Sequence, residues 1–438
     1  MKLNTYNLFG LITMMALASC QALADDPDRR ARWQASFKAA EPIGREITSI
    51  DDHSALQQAG LKTGDILIAV NNEVIRDANH WSDLTYSLRA ATDYTLTVKR
   101  NNRQLDVITR LPGAPLEQYQ GLNVEYGFIT SDYGIRQRTI VTLPEDTSDK
   151  LAAIYVVGGL SCSSIEYLPG RKSNFIRALQ DVIRQTNMMV FRVEKPGVGD
   201  SDGRCSETDF NTELNGYEVA LQRLLQDPRI DRNKVIVLGS SMGSALAPYL
   251  ANKYRLNGVI SDGSFYRSWF EHMLEIERRI QTMNGHSQAE VNQRINQAYI
   301  PLYYGMLIEK KSYRQVINEH PLLASYNYHD DAHMYGRPVA FYHQMQDFNF
   351  AGEWSSLTAP ARIRWGTYDW IMSEYDIDMI ADTLAAAGHP DYEVVKVPHL
   401  DHWYSLHQSA LDSYQGKPGR WDDSISQQLV SWAKTLNN

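Results

Sequence analysis

Six short apolar runs recur through the later part of the chain: Ala152 to Val157, Met188 to Val193, Val235 to Leu238, Val259 to Ser261, Arg362 to Trp365 and Val394 to Val397. Stretches long enough for helices separate them. Strands that are apolar at successive positions are buried on both faces, and strand, helix and strand in alternation join neighbours by crossovers. The pattern therefore predicts an α/β fold, a mostly parallel sheet with helices on both faces. Two earlier segments, Asn123 to Phe128 and Arg138 to Leu143, alternate in polarity and read as an entry hairpin. The pattern breaks between about Phe265 and Phe350, where a helical, aromatic-rich insertion with Trp269, Phe270, Tyr299, Tyr303 and Tyr304 reads as a lid.

With 438 residues, 43% hydrophobic and 22% charged, the chain has room for two or three folding units. The 43 Lys and Arg against 52 Asp and Glu leave a net charge of -9, with no basic field to draw in phosphate backbones. Nucleic acid is excluded as an expected partner, and a membrane is expected only through an N-terminal lipid.

The N-terminus carries Lys2 and then an apolar run from Leu8 to Ala18, too short to span a bilayer but of the length of a signal h-region. Export to a bacterial envelope is the expectation, either as a periplasmic protein or as a membrane-anchored lipoprotein. Two cleavage readings stand. Ala22-Leu23-Ala24 fits ordinary removal of residues 1–24, whereas Leu17-Ala18-Ser19-Cys20 resembles a lipobox whose Cys20 would be lipidated. Three cysteines favour the second reading, since lipidation of Cys20 leaves Cys162 and Cys205 as an even number of thiols.

The run Ser54-Ala55-Leu56-Gln57-Gln58-Ala59-Gly60-Leu61-Lys62-Thr63-Gly64-Asp65-Ile66-Leu67-Ile68-Ala69-Val70-Asn71 reads as a short helix ended at Gly60, a turn at Gly64-Asp65 and a strand. Trp81, Leu84 and Leu88 recur at helical spacing, Tyr94 to Arg100 alternates as a strand, and Asn101-Asn102 reads as a hairpin turn. This stretch resembles bacterial PDZ domains and implies a small α+β unit over 30–112. Such domains add a peptide strand to a sheet edge and hold its terminal carboxylate on backbone N–H groups. The resemblance puts the carboxylate loop near Ala35, Ser36 and Phe37. Ser36 stands where the family usually has glycine, so a peptide groove and a structural or self-docking module remain as alternatives. Pro112-Gly113-Ala114-Pro115 opens a linker, 113–122, after which 123–438 forms the second unit.

Gly239-Ser240-Ser241-Met242-Gly243 follows the run Val235 to Leu238 and precedes a helix-forming stretch, Ala245 to Tyr254. A serine on a sharp strand-to-helix turn needs small residues two before and two after it, because neighbouring backbones come close there. Gly239 and Gly243 meet that need. With an acid and a base following in the order Ser, Asp, His, the chain from about Val124 onward resembles the α/β-hydrolases, with Ser241 as nucleophile.

The resemblance implies further roles. Gly366-Thr367-Tyr368-Asp369 follows the run Arg362 to Trp365, where the family carries its acid, so Asp369 would orient the base; its plainer reading is a cap before Ile371. Asp262 is the alternative acid. Asp401-His402-Trp403 matches the family's Asp-His-aromatic, making His402 the base, with His399 and His407 as alternatives. The oxyanion hole would use the N–H of Met242 and, in the loop Gly158-Gly159-Leu160-Ser161-Cys162, that of Leu160, although Gly158 replaces the family's histidine. Pro196 to Gly203 resembles a shaping turn of these enzymes and lacks the Lys-Ser/Thr of a phosphate loop. The fold would bring the loops of Cys162 and Cys205 to one sheet edge, where they would form a disulfide or remain two buried thiols. The spacings of zinc sites are missing, so neither metal nor cofactor is expected.

These readings lead to a serine hydrolase working through an acyl-enzyme. The PDZ-like unit inclines the expected substrate toward peptides, with carboxylesters and thioesters as alternatives. A catalytically silent, PDZ-bearing binding protein is the reading from another class.

Overall fold

The computed structural model describes residues 28–146, 149–327, 329 and 331–437. The cleavage expectations and the lipidation of Cys20 lie outside them. The described chain divides into two compact units, one running to Glu117 and including Gly197–Ser206, the other Gln118–Pro196 with Glu207–Asn438. The first break falls inside the expected linker. That the turn after Pro196 clusters with the N-terminal unit was not legible along the chain.

The N-terminal unit contains, in order, β1 (Ala35–Ala39), β2 (Arg45–Ile50), α1 (Ala55–Gln58), β3 (Ile66–Val70), β4 (Glu73–Val74), α2 (Ala78–Ser87), β5 (Asp93–Arg100) and β6 (Arg103–Arg110). All pairings are antiparallel, in the order β1-β2-β3-β5-β6 with β4 beside β3. Asn101 and Asn102 take φ of 50° and 61°, the left-handed pair that a two-residue hairpin between right-twisted strands requires. Leu67, Val70, Leu96 and Val98 pack with Leu84 and Leu88 in one core. One expectation needs correction: Ala35, Ser36 and Phe37 begin the edge strand β1 and are not a loop. The irregular backbone lies just before them at 32–34, with Gln34 at φ 54°. Phe37 on β1 packs with Trp33 and with Trp81 on α2 at ring-centroid distances of 5.3 and 5.2 Å.

In the second unit β7 (Leu122–Thr130), β8 (Arg136–Pro144), β9 (Leu151–Val157), β10 (Met189–Val193), β11 (Ile230–Ser240) and β12 (Gly258–Asp262) precede a small hairpin, β13 (His333–Met334) and β14 (Arg337–Pro338). β15 (Ala361–Gly366) and β16 (Tyr392–Val397) follow. The main sheet has eight strands in the order β7-β8-β10-β9-β11-β12-β15-β16, antiparallel over β7, β8 and β10 and parallel from β10 to β16. Its faces follow the period of two: Tyr155, Val157, Val235 and Val237 enter one core, while Ile154, Val156, Ile236 and Leu238 enter the other.

Helices α3 (Asn174–Gln185), α4 (Phe210–Leu225), α5 (Met242–Tyr254), α6 (Trp269–Met283), α7 (Glu374–Ala386) and α8 (Ser424–Leu436) cover both faces. α3 and α8 pack on one side, and α4, α5 and α7 on the other. The insertion after β12 begins with α6, whose start is fixed by a capping box: the Ser268 hydroxyl accepts from Glu271 N–H and the Glu271 carboxylate reaches back. Helices at Gln288–Arg294, Ile300–Tyr303, Tyr313–Glu319 and Val339–Gln346 and the β13-β14 hairpin follow within it.

Candidate active site

β10 lies on one side of β9 and β11 on the other. The chain leaving the carboxyl ends of β9 and β11 therefore opens a crevice, the place where parallel sheets of this kind hold ligands. Ser241 sits there between β11 and α5 with φ 57° and ψ -125°, a conformation that a side-chain-bearing residue keeps only when its surroundings impose it. They do: a Cβ on Gly239 would collide with the Gly243 backbone, and one on Gly243 with the Val157 carbonyl. The Ser241 N–H is tied to the Asp262 carbonyl at 2.9 Å.

His402 follows β16 and bridges Ser241 to Asp369. Its Nδ1 is 2.7 Å from Asp369 Oδ2 and its Nε2 is 3.0 Å from Ser241 Oγ. A carboxylate only accepts, so Nδ1 carries the hydrogen and Nε2 is left to accept from the serine hydroxyl. Asp369 also fulfils its plainer reading, because its Oδ1 accepts from the N–H groups of Ile371 and Met372 at 2.9 and 2.8 Å. Those two bonds fix the carboxylate, which is 4% exposed, with Oδ2 turned to the imidazole. Burial disfavours the charged imidazolium, but the Asp369 carboxylate, by charge and hydrogen bond, with Asp401 and Asp262 farther off, holds the His402 pKa above the ordinary value. Such a chain can draw the proton from a hydroxyl as it becomes a nucleophile.

Met242 is the first residue of α5, where backbone N–H groups have no partner within the helix and the dipole favours negative charge. Across from it, the loop after β9 runs close to the serine: a Cβ on Gly159 would stand 3.0 Å from Ser241 Cβ. Leu160 and Met242 line the same cavity of about 840 Å³, as do Ser241 and His402. Phe265, Trp269 and Ile276 from the insertion give it an apolar wall, and Trp403, packed at a tilt against Trp370 with ring centroids 5.4 Å apart, is half exposed.

Residues 156–412 match the family model described as alpha/beta hydrolase family, which covers more than half of the chain, and 46–100 match that of the PDZ domain. The chain belongs to the alpha/beta hydrolase family. No curated protein matches it in sequence. Among solved structures, this hydrolase is similar to an esterase of Pyrococcus furiosus, with 10% identity, a TM-score of 0.44 and coverage of 74% of this chain and 97% of that one. It is also similar to Est1E from Butyrivibrio proteoclasticus with ferulic acid bound, at 13% identity, TM-score 0.45, and 70% and 98% coverage. A hypothetical protein from Pseudomonas aeruginosa matches at 13% identity, TM-score 0.43, and 73% and 96% coverage.

The alternative site residues of this hydrolase are engaged elsewhere. Asp262 forms a two-bond pair with Arg364 at 3.0 and 2.5 Å. His407 pairs with Asp401 at 3.0 Å, and His399 packs on Tyr368. Cys162 and Cys205 are disulfide-bonded.

Three positioning roles escaped the sequence reading, which named Asp401 only as the neighbour of His402. Lys195, buried just after β10, donates to the Gly159 carbonyl and to that of Ser161 at 3.0 Å. Burial and the nearby Arg337 charge pull its pKa well below the ordinary lysine value. Arg279 on α6 donates to the carbonyls of Trp370 and Ile371 at 2.9 and 2.6 Å, bracing the turn after Asp369. Asp401 accepts from the N–H groups of Trp403 and Ser405 at 3.0 and 2.8 Å, and so shapes the turn that presents His402. The only signal for Lys195 was a charged residue at a strand's carboxyl end. Arg279 gave none.

Proposed function

We propose that this hydrolase is a serine esterase acting on acyl esters, with Ser241 as nucleophile, His402 as base and acid, and Asp369 as orienter. The observation that carries the reading is the continuous hydrogen-bonded chain from Asp369 through His402 to Ser241 at the edge of the cavity. Ser241 Oγ attacks the ester carbonyl carbon as its proton passes to His402 Nε2. The negative oxygen of the tetrahedral intermediate is received by the N–H groups of Met242 and Leu160. As the C–O bond to the leaving alcohol breaks, the imidazolium gives its proton to the departing oxygen. Water, deprotonated by His402, then attacks the acyl carbon, and as the bond to Ser241 Oγ breaks the imidazolium returns the proton to Oγ, releasing the acid and restoring the serine.

The apolar wall of Phe265, Trp269 and Ile276 supports an acyl chain as the group held beside Ser241. Peptide hydrolysis is the second reading, favoured by the PDZ match at 46–100, since such domains present peptide segments. Export is a further part of the proposal, supported by a disulfide of the kind that persists in oxidising compartments. The deciding experiment is fluorophosphonate labelling of wild type and Ser241→Ala, with both proteins profiled against acyl-ester and peptide libraries. Labelling that depends on Ser241 with turnover of esters supports the proposal. Labelling that persists in Ser241→Ala overturns the triad, and turnover of peptides alone overturns the ester.

A further inference from the structure

One wall of the cavity carries polar atoms that the proposed reaction does not use. Along α6, Trp269, His272 and Ile276 lie on one face at helical spacing, and all three line the cavity. His272 has 0% of its surface exposed, yet neither of its ring nitrogens has a hydrogen-bond partner among the described residues. The indole N–H of Trp269, 4% exposed and one turn earlier, has none either.

Packing does not account for a histidine here. Its ring lies 4.8 Å from the centroid of Phe265 and 4.8 Å from that of Trp269, an aromatic surrounding that an apolar ring would meet with no polar atom to satisfy. An unpaired buried polar group costs on the order of 1–3 kcal/mol, and cores dispense with such groups unless something pairs them. Burial, then the charges of Arg279, Arg267 and His402, hold the His272 pKa well below the ordinary value. The ring is therefore neutral and offers one donor and one acceptor, while the indole offers a donor alone.

We propose that His272 and Trp269 form a polar subsite within the acyl cavity that binds a hydroxyl group carried on the substrate's acyl chain. A hydroxyl both donates and accepts, which matches an imidazole acceptor beside an indole donor. A hydrocarbon chain leaves all three nitrogens unpaired. The substrate class is then the esters of hydroxylated acids, an inference that rests on the esterase reading above.

The test is a matched series of p-nitrophenyl esters of unbranched acids of about six to twelve carbons, each ending in a methyl or in a hydroxyl group. A purely hydrocarbon cavity rejects the hydroxyl, because burying it unpaired is unfavourable, so the kcat/KM ratio of hydroxyl to methyl would fall below one at every length. The subsite predicts a ratio of at least about 10 at one length or two adjacent lengths. His272→Phe should bring that ratio to one or below, and Trp269→Phe should lower it in part. Fluorophosphonate labelling of each variant checks that its site is assembled. If His272→Phe fails to fold, the wild-type ratio and Trp269→Phe still decide. A wild-type ratio at or below one throughout, or a ratio unchanged in the folded His272→Phe protein, overturns the subsite while the esterase stands. Failure to turn over any ester of either series overturns both.

Discussion

The ammonium of Lys195 donates a hydrogen bond to the backbone carbonyl of Gly159, the residue whose Cα borders Ser241. In a trans peptide the C=O and the following N–H point in opposite directions, so this bond turns the Leu160 N–H away from Lys195. The ammonium also approaches Glu213 at 3.4 Å, and Glu213 pairs with Arg337 of β14, so the loop rests on a buried charge network. Lys195→Met should lower kcat by about 10- to 100-fold, a fraction of what removing an oxyanion donor costs, with KM little changed. Steady-state kinetics and the affinity of a tetrahedral phosphonate check this. Both should weaken together, and Lys195→Arg should restore part of each.

Asp369→Asn keeps the shape but cannot hold His402 in the required tautomer, and should cost roughly 10⁴-fold in kcat, as in triads of this type. The pH profile gives a second readout. His402 must be neutral to accept the serine proton, and its pKa stands above the ordinary value. The acid limb of kcat/KM should therefore have its midpoint above about 6.5, activity being lost as pH falls through it. In Asp369→Asn the principal raising cause is gone, and the midpoint of the residual activity should move down.

Asp262 and Arg364 give the opposite signature. Both are buried, and their pairing leaves neither charge exposed to water. Asp262→Asn strands the guanidinium, which should lower unfolding free energy by about 3–5 kcal/mol in urea titrations. The folded protein should retain kcat within about 10-fold, because Asp262 does not touch the imidazole. A loss approaching that of Asp369→Asn would make Asp262 the working acid.

Asp401 holds the turn that presents His402, besides adding its charge to that of Asp369 near the imidazole. Besides the two N–H bonds, its carboxylate accepts from the Ser413 hydroxyl at 2.8 Å and meets His407 at 3.0 Å. Asp401→Ala should slow fluorophosphonate capture of Ser241 by roughly 10- to 100-fold, the scale of a misplacement of about 1 Å. Asp401→Asn, which can still accept through its amide oxygen, should recover most of the rate.

The fold was legible because its signals are local. The strands from β7 to β16 in the main sheet stand where short apolar or alternating runs placed them, since burial on two faces demands apolar residues at successive positions. Gly239 and Gly243 marked Ser241 because backbone crowding at a strand-to-helix turn excludes larger residues at fixed offsets. Asn101-Asn102 marked a hairpin because two left-handed residues are needed in sequence. Ala35 to Phe37 was read as a carboxylate loop and begins the edge strand β1 instead, because where a strand starts depends on its partner, here β2.

What the sequence by itself determined was the order of elements, the strand-to-helix turn that carries Ser241, and a short menu of candidate acids and bases near strand ends. Only the tertiary structure chose among them. Asp262 ends β12 and Asp369 lies in the turn just after β15, and the choice rests on which carboxylate faces His402 and which faces Arg364, contacts 33 and 102 residues apart in the chain. Lys195 on the Gly159 carbonyl, Arg279 on the turn after Asp369, and the unpaired nitrogens of His272 likewise leave no local mark. Side-chain partnership across the fold is set by packing in three dimensions, and no periodicity or spacing along the chain encodes it.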